Sequence, residues 1–122
     1  MSGTTTKDIQ DDRMVFGWTR AILYSILNAH KPTENIYGDM LKECRDIYHD
    51  NQKMCEIIDD FEKTYDPKKA IWWYTKDSFL YRQINAAFRT ENIPTIWKFR
   101  FVIQDIYKRL ELLHEEQMKN YD

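Results

Sequence analysis

Downstream of Gly38 this 122-residue chain contains no glycine, and it has only three glycines and three prolines in all. The tight turns of a many-stranded sheet need glycine at their left-handed positions. A glycine-free run from Asp39 to Asp122 therefore points to helices joined by short connections. Hydrophobic residues at 43% and aromatics at 15% give enough apolar surface to offset the entropy of ordering, which excludes a disordered chain. The length suits one core. The expected fold is all-α, a compact bundle of about five helices spanning residues 12–116. Residues 1–11 are expected to be disordered and 117–122 frayed.

Periodicity supplies the elements. Val15, Trp18, Ile22 and Ile26 recur at steps of three and four, with Phe16, Leu23 and Leu27 on a second stripe, predicting a helix over 12–29 that stops before Pro32. A second helix is predicted over 37–49, with Met40 or Leu41, Cys44 and Ile47 on one face. A third, over 52–63, carries Cys55, Ile58 and Phe61 after a break at Asp50-Asn51. Asp66-Pro67 starts the next. Trp72, Trp73, Tyr74 and Thr75 are all poor helix formers, so an interruption is expected near Thr75. From Pro94 onward, Ile96, Phe99, Ile103, Ile106, Leu110 and Leu113 trace one buried seam, widened by Trp97, Phe101 and Val102.

Charge is unevenly spread. Lys68 to Arg109 holds nine Lys/Arg against three Asp/Glu, a basic block between acidic ends that leaves a net charge of −2. Aromatics beside cations suit single-stranded nucleic acid, but the aromatics follow a helical packing period, so a core with a solvated face is the better account and the reading goes against nucleic acid. Missing glycines rule out both common nucleotide-loop motifs. Glu111-x-x-His114 and Asp46-x-x-His49 have metal-ligand spacing without the further carboxylates a di-iron bundle needs, so no metal is expected. Cys44 and Cys55 read as buried free thiols, inert as nucleophiles. No apolar run nears the roughly 20 residues of a membrane span, and no secretory signal is visible, so a cytoplasmic protein without membrane contact is expected.

The segment Ala70-Ile-x-x-Tyr74-Thr75, then Leu80-Tyr81-x-x-x-Asn85-x-Ala87-x-Arg89, then Phe99 to Leu113, resembles the arginine-specific mono-ADP-ribosyltransferases. Some forty residues carry the likeness, which is nearest to invertebrate variants with a Trp-Trp-Tyr-Thr turn. The resemblance implies the helical lobe that precedes the catalytic core of a glycosyltransferase moving ADP-ribose from NAD to protein arginine. By the same resemblance, Tyr74 and Asn85 are cofactor-binding residues flanking the NAD cleft, and the partner is a protein substrate. The family's Y-R-G strand, S-T-S strand and E-x-E turn do not occur in these 122 residues. No catalytic residue is therefore assigned, and the chain alone is expected not to turn over NAD. An independent helical interaction module is the rival reading, and nucleic-acid binding through the basic block of residues 68–109 is a second alternative.

Overall fold

The computed structural model describes residues 19–31 and 36–120. The expected disorder of residues 1–11 and the predicted helix start at Asp12 lie outside them, as do Val15, Phe16 and Trp18. Among the described residues every regular element is helical. Helix α1 covers residues 19–27. It is followed by α2 (Gly38–Ile47), α3 (Gln52–Thr64), a 3-10 turn (Pro67–Lys69), α4 (Ala70–Thr75), α5 (Phe79–Arg89), α6 (Ile93–Lys98) and α7 (Arg100–Lys119). Among the described residues seven α-helices replace the expected five or so, because the two long helical stretches of the sequence are each cut once.

The first cut falls where the aromatic turn predicts it. Residues Lys76 to Ser78 separate α4 from α5, and Ser78 Oγ donates to the Trp73 carbonyl at 3.1 Å. The second corrects the expectation of one continuous helix from Pro94. The chain turns at Phe99, whose N–H is shared between the carbonyls of Thr95 and Ile96, while Arg100 Nη1 takes up the Trp97 carbonyl at 2.7 Å. Side-chain capture of a freed carbonyl is what lets a helix break in a segment without Gly or internal Pro.

Caps follow the sequence. Asn51 Oδ1 accepts from Met54 N, Asp66 Oδ1 from Lys68 N and Asn92 Oδ1 from Thr95 N, so α3, the 3-10 turn and α6 each begin on a side-chain acceptor. The end of α5 wants a glycine and has none. Asn92 N bonds to the Ala87 carbonyl and Glu91 N to that of Phe88, a Schellman closure with Glu91 in the left-handed region at φ 55°.

The core is aromatic at its centre. The Phe61 ring lies 4.3 Å from Tyr65, 5.1 Å from Trp73 and 5.5 Å from Phe79, joining α3 to α4 and α5. From α7 come Val102, Ile103 and Ile106, with Phe99 just before it. Four predicted core positions of α2, α6 and α7 turn outward. Ile47 is exposed, and Tyr48 packs against the core in its stead. Trp97 is exposed on the short α6. Leu110 and Leu113 are 48% and 38% exposed, because α7 runs past the body of the bundle: from Tyr107 to Asn120 only Arg109 is even half-buried. The helix stays regular to Lys119, beyond the point where fraying was expected.

This outcome divides one seam into two energetic halves. Ile103→Ala should cost about 2–5 kcal/mol by leaving a cavity, whereas Leu110→Ala should stay within about 0.5 kcal/mol. Denaturant unfolding of the two variants checks it; equal losses would mean that the outer half of α7 is covered.

Candidate functional site

The two residues singled out by the sequence meet. On an unbroken helix, positions eleven apart would stand roughly 16 Å from one another. The α4–α5 break folds them together instead, and Tyr74 Oη donates to Asn85 Oδ1 at 2.8 Å. Asn85 Nδ2 donates to the Tyr81 carbonyl at 2.9 Å, and the Tyr74 and Tyr81 rings lie 5.7 Å apart. Both side chains are half-buried. The pair thus staples α4 to α5, while one amide hydrogen of Asn85 and a lone pair on each oxygen remain for another partner.

Behind the staple lies a cleft of about 360 Å³. Tyr74 and Asn85 form one rim, and Leu23, Ile84, Phe88, Ile103, Ile106 and Leu110 form its apolar walls, with Tyr107 beside them. The lining contains no carboxylate, imidazole, thiol or cation. Such a surface suits a sugar or ring edge against Tyr74 and Asn85 but offers no charge to a pyrophosphate. The residues present therefore fit part of a dinucleotide and not the whole.

Sequence reasoning missed a second polar group. Asp105, 3% exposed on α7, accepts from Tyr37 Oη at 2.6 Å and from Tyr65 Oη at 2.8 Å, and pairs with Lys31. Burial, followed by the bond to Asp105, pushes the Tyr37 phenol far up. Burial and the nearby Asp105 charge do the same to Tyr65. Its neighbour Gln104 donates to the carbonyls of Ile26 and Ala29 at 3.2 and 2.9 Å, closing the end of α1. The available signal was an acid and an amide inside an apolar seam, between Val102-Ile103 and Ile106.

Two cations of the basic block are ion-paired and a third is held against aromatic rings. Arg82 grips Asp77, Lys98 meets Glu43, and Arg100 stacks 4.8 Å from Trp97 and 4.4 Å from Phe101. Lys68 and Lys69 have no ion-pair partner among the described residues. Burial pushes the Cys44 thiol up to about 12, and Cys55 Sγ donates to the Tyr48 carbonyl at 3.1 Å. No three His, Cys, Asp or Glu converge among the described residues, and none of the helices described is long and apolar enough to cross a membrane. Comparison with protein-family models, curated proteins and solved structures returned no match.

Two measurements follow from this geometry. In a double-mutant cycle, Tyr74→Phe and Asn85→Ala should each cost about 0.5–1.5 kcal/mol, and the double variant clearly less than their sum. Strict additivity would dissolve the staple. Alkaline titration tests the buried phenols. Both hold their protons in the folded chain above the pH at which free tyrosine loses its own, so the unfolded state binds fewer protons there. Stability should fall as the pH rises through the alkaline range, first as the unfolded thiol of Cys44 ionises near pH 9 and then more steeply as the unfolded phenols do so above about pH 10. A flat profile through the alkaline range would show that Tyr37 and Tyr65 titrate normally.

Proposed function

We propose that this chain is the helical lobe of an arginine-specific mono-ADP-ribosyltransferase-like protein, one wall of an NAD cleft completed by a strand-built core, and non-catalytic in isolation. The observation that carries the reading is the meeting of Tyr74 and Asn85. The resemblance assigns both to the cofactor, and they stand side by side at the rim of one cleft. The partial fit supports the division of labour. The apolar lining can meet a ribose or ring edge, while the phosphates and the glycosidic centre need charges from elsewhere. NAD would bring an activated glycosidic bond to nicotinamide; Tyr74 and Asn85 would orient the sugar beside it through their remaining hydrogen-bonding capacity.

A helical interaction module is the second reading, favoured by the outer half of α7. Leu110, Leu112, Leu113 and Met118 are 38–60% exposed there, a larger apolar display than scattered surface leucines give. Both readings have the lobe working by packing on another folded body, and they differ in whether that body holds NAD.

The coding sequence beyond Asp122 separates them: a Y-R-G strand, an S-T-S strand and an E-x-E turn are expected there. A stop codon directly after Asp122 would overturn the transferase reading and leave the interaction module. The purified chain mixed with NAD and an arginine-rich protein should release no nicotinamide. Turnover abolished by one substitution in this chain would mean that the lobe carries catalysis itself.

A further inference from the structure

A second cleft, of about 480 Å³, opens on the other side of α4. It lies between the last turns of α3 (Asp60, Thr64), the 3-10 turn (Lys68, Lys69) and the paired indoles of Trp72 and Trp73. Four observations there lack a structural explanation. Trp72 exposes 54% of its surface although its neighbour Trp73 is 1% exposed, and the two rings stand edge to face at 5.1 Å. Lys68 and Lys69 are exposed and carry no ion pair among the described residues, although the acid of Asp60 lines the same cleft. A third cation, Lys76, sits with its Nζ 4.6 Å from the Trp72 ring centre and 5.2 Å from that of Trp73. Trp73 Nε1 is buried with no acceptor. A buried indole N–H without a partner is rare.

The backbone that carries the two lysines is held by hydrogen bonds. Asp66 Oδ1 takes the Lys68 N–H at 2.9 Å and the Asp66 carbonyl takes that of Lys69 at 2.7 Å, so the turn that carries both is fixed at its start. The cleft lining carries two ammonium groups against the one carboxylate of Asp60, and the exposed part of Trp72 supplies ring surface for stacking.

We propose that this cleft binds a nucleoside phosphate: the base stacks on Trp72, and Lys68 and Lys69 take the phosphate. Asp60 decides for this ligand over a phosphorylated phenol such as phosphotyrosine. Its carboxylate accepts hydrogen bonds from a ribose hydroxyl or an exocyclic amine, and a phosphophenyl ring has neither to offer. Thr64 Oγ1 donates to the Asp60 carbonyl at 2.8 Å and keeps an acceptor lone pair for the same sugar. The phosphate and base come either from a free nucleotide or from a nucleotide within a single strand. The proposal is independent of the cofactor assignment at Tyr74 and Asn85, which line the other cleft.

The test is calorimetric titration of the full chain with AMP, adenosine, inorganic phosphate and a single-stranded oligonucleotide. AMP or the oligonucleotide should saturate below about 1 mM, with adenosine and phosphate each weaker. Trp72→Ala should raise Kd about tenfold or more, the scale of one lost base stack, and the joint variant Lys68→Ala, Lys69→Ala should do so as well. Trp97→Ala, which removes the other exposed indole beside a cation, should leave Kd unchanged. Tighter AMP binding identifies a free nucleotide as the source, tighter oligonucleotide binding a strand; either supports the site if the Trp72 and lysine dependence holds. Absence of saturation by both, binding indifferent to the lysines, or equal losses from Trp72→Ala and Trp97→Ala would overturn it. If Trp72→Ala lowers the melting temperature, the lysine variant on its exposed turn still decides the matter.

Discussion

A single buried carboxylate holds the architecture in register. Asp105 lies in the middle of the apolar face of α7, where an unpaired charge would cost several kcal/mol. Its partners come from three separate parts of the chain: Lys31 after α1, Tyr37 before α2 and Tyr65 after α3. None of these residues lies within a helix, so one end of each early helix is tied to α7. Gln104, one residue earlier, closes the end of α1 with its amide. Two adjacent polar side chains of α7 thereby fix the positions of three helices. Removing one partner of such a group leaves the others buried and unsatisfied, which is why the arrangement is all or none.

That anchoring makes the helix breaks tolerable. With few glycines, the chain changes direction by giving each freed carbonyl a side-chain or shared backbone donor, as at Phe99 and at Ser78. The break before α5 has a consequence for chemistry. It converts an eleven-residue separation into a hydrogen bond between Tyr74 and Asn85 and leaves Trp72 on the opposite face of α4 from the Tyr74 cleft. One short helix thus serves two surfaces, an apolar one shared with α7 and a cationic one shared with α3.

Periodicity made the helices legible because burial repeats every three or four residues whatever the neighbours are. Ile26, Cys44, Ile58, Phe61, Phe99, Ile103 and Ile106 are buried as the pattern requires. The same signal cannot report where a neighbour ends, so Leu110 and Leu113 continue a seam that has nothing left to pack on among the described residues. Asp105 escaped notice for a related reason. A pattern of apolar residues registers a charge as the wet side, and only the convergence of Lys31, Tyr37 and Tyr65, distant in sequence, gives it a place inside. The meeting of Tyr74 and Asn85 was legible as a requirement, since poor helix formers before Thr75 allowed a bend, but the bond between them depends on where α5 restarts.

The two clefts also resolve the meaning of the basic block. Its charge invited the idea of an anion held by the whole segment, yet Arg82, Lys98 and Arg100 are tied to Asp77, Glu43 and the Trp97 carbonyl. The two ion pairs, Arg82 with Asp77 and Lys98 with Glu43, contribute little field to an incoming anion, because exposed pairs are already screened within a few ångströms. Of the other cations, Lys68 and Lys69 stand on the capped turn and Lys76 against the indoles, while Arg89, Lys108 and Arg109 carry no ion pair among the described residues. The cleft at Tyr74 and Asn85 receives none of these cations in its lining. An anionic group bound there must be met by charges from another body, whereas one bound at Trp72 can be met by this chain alone. The charge distribution therefore assigns opposite dependencies to the two faces of α4, one needing a partner and one self-sufficient.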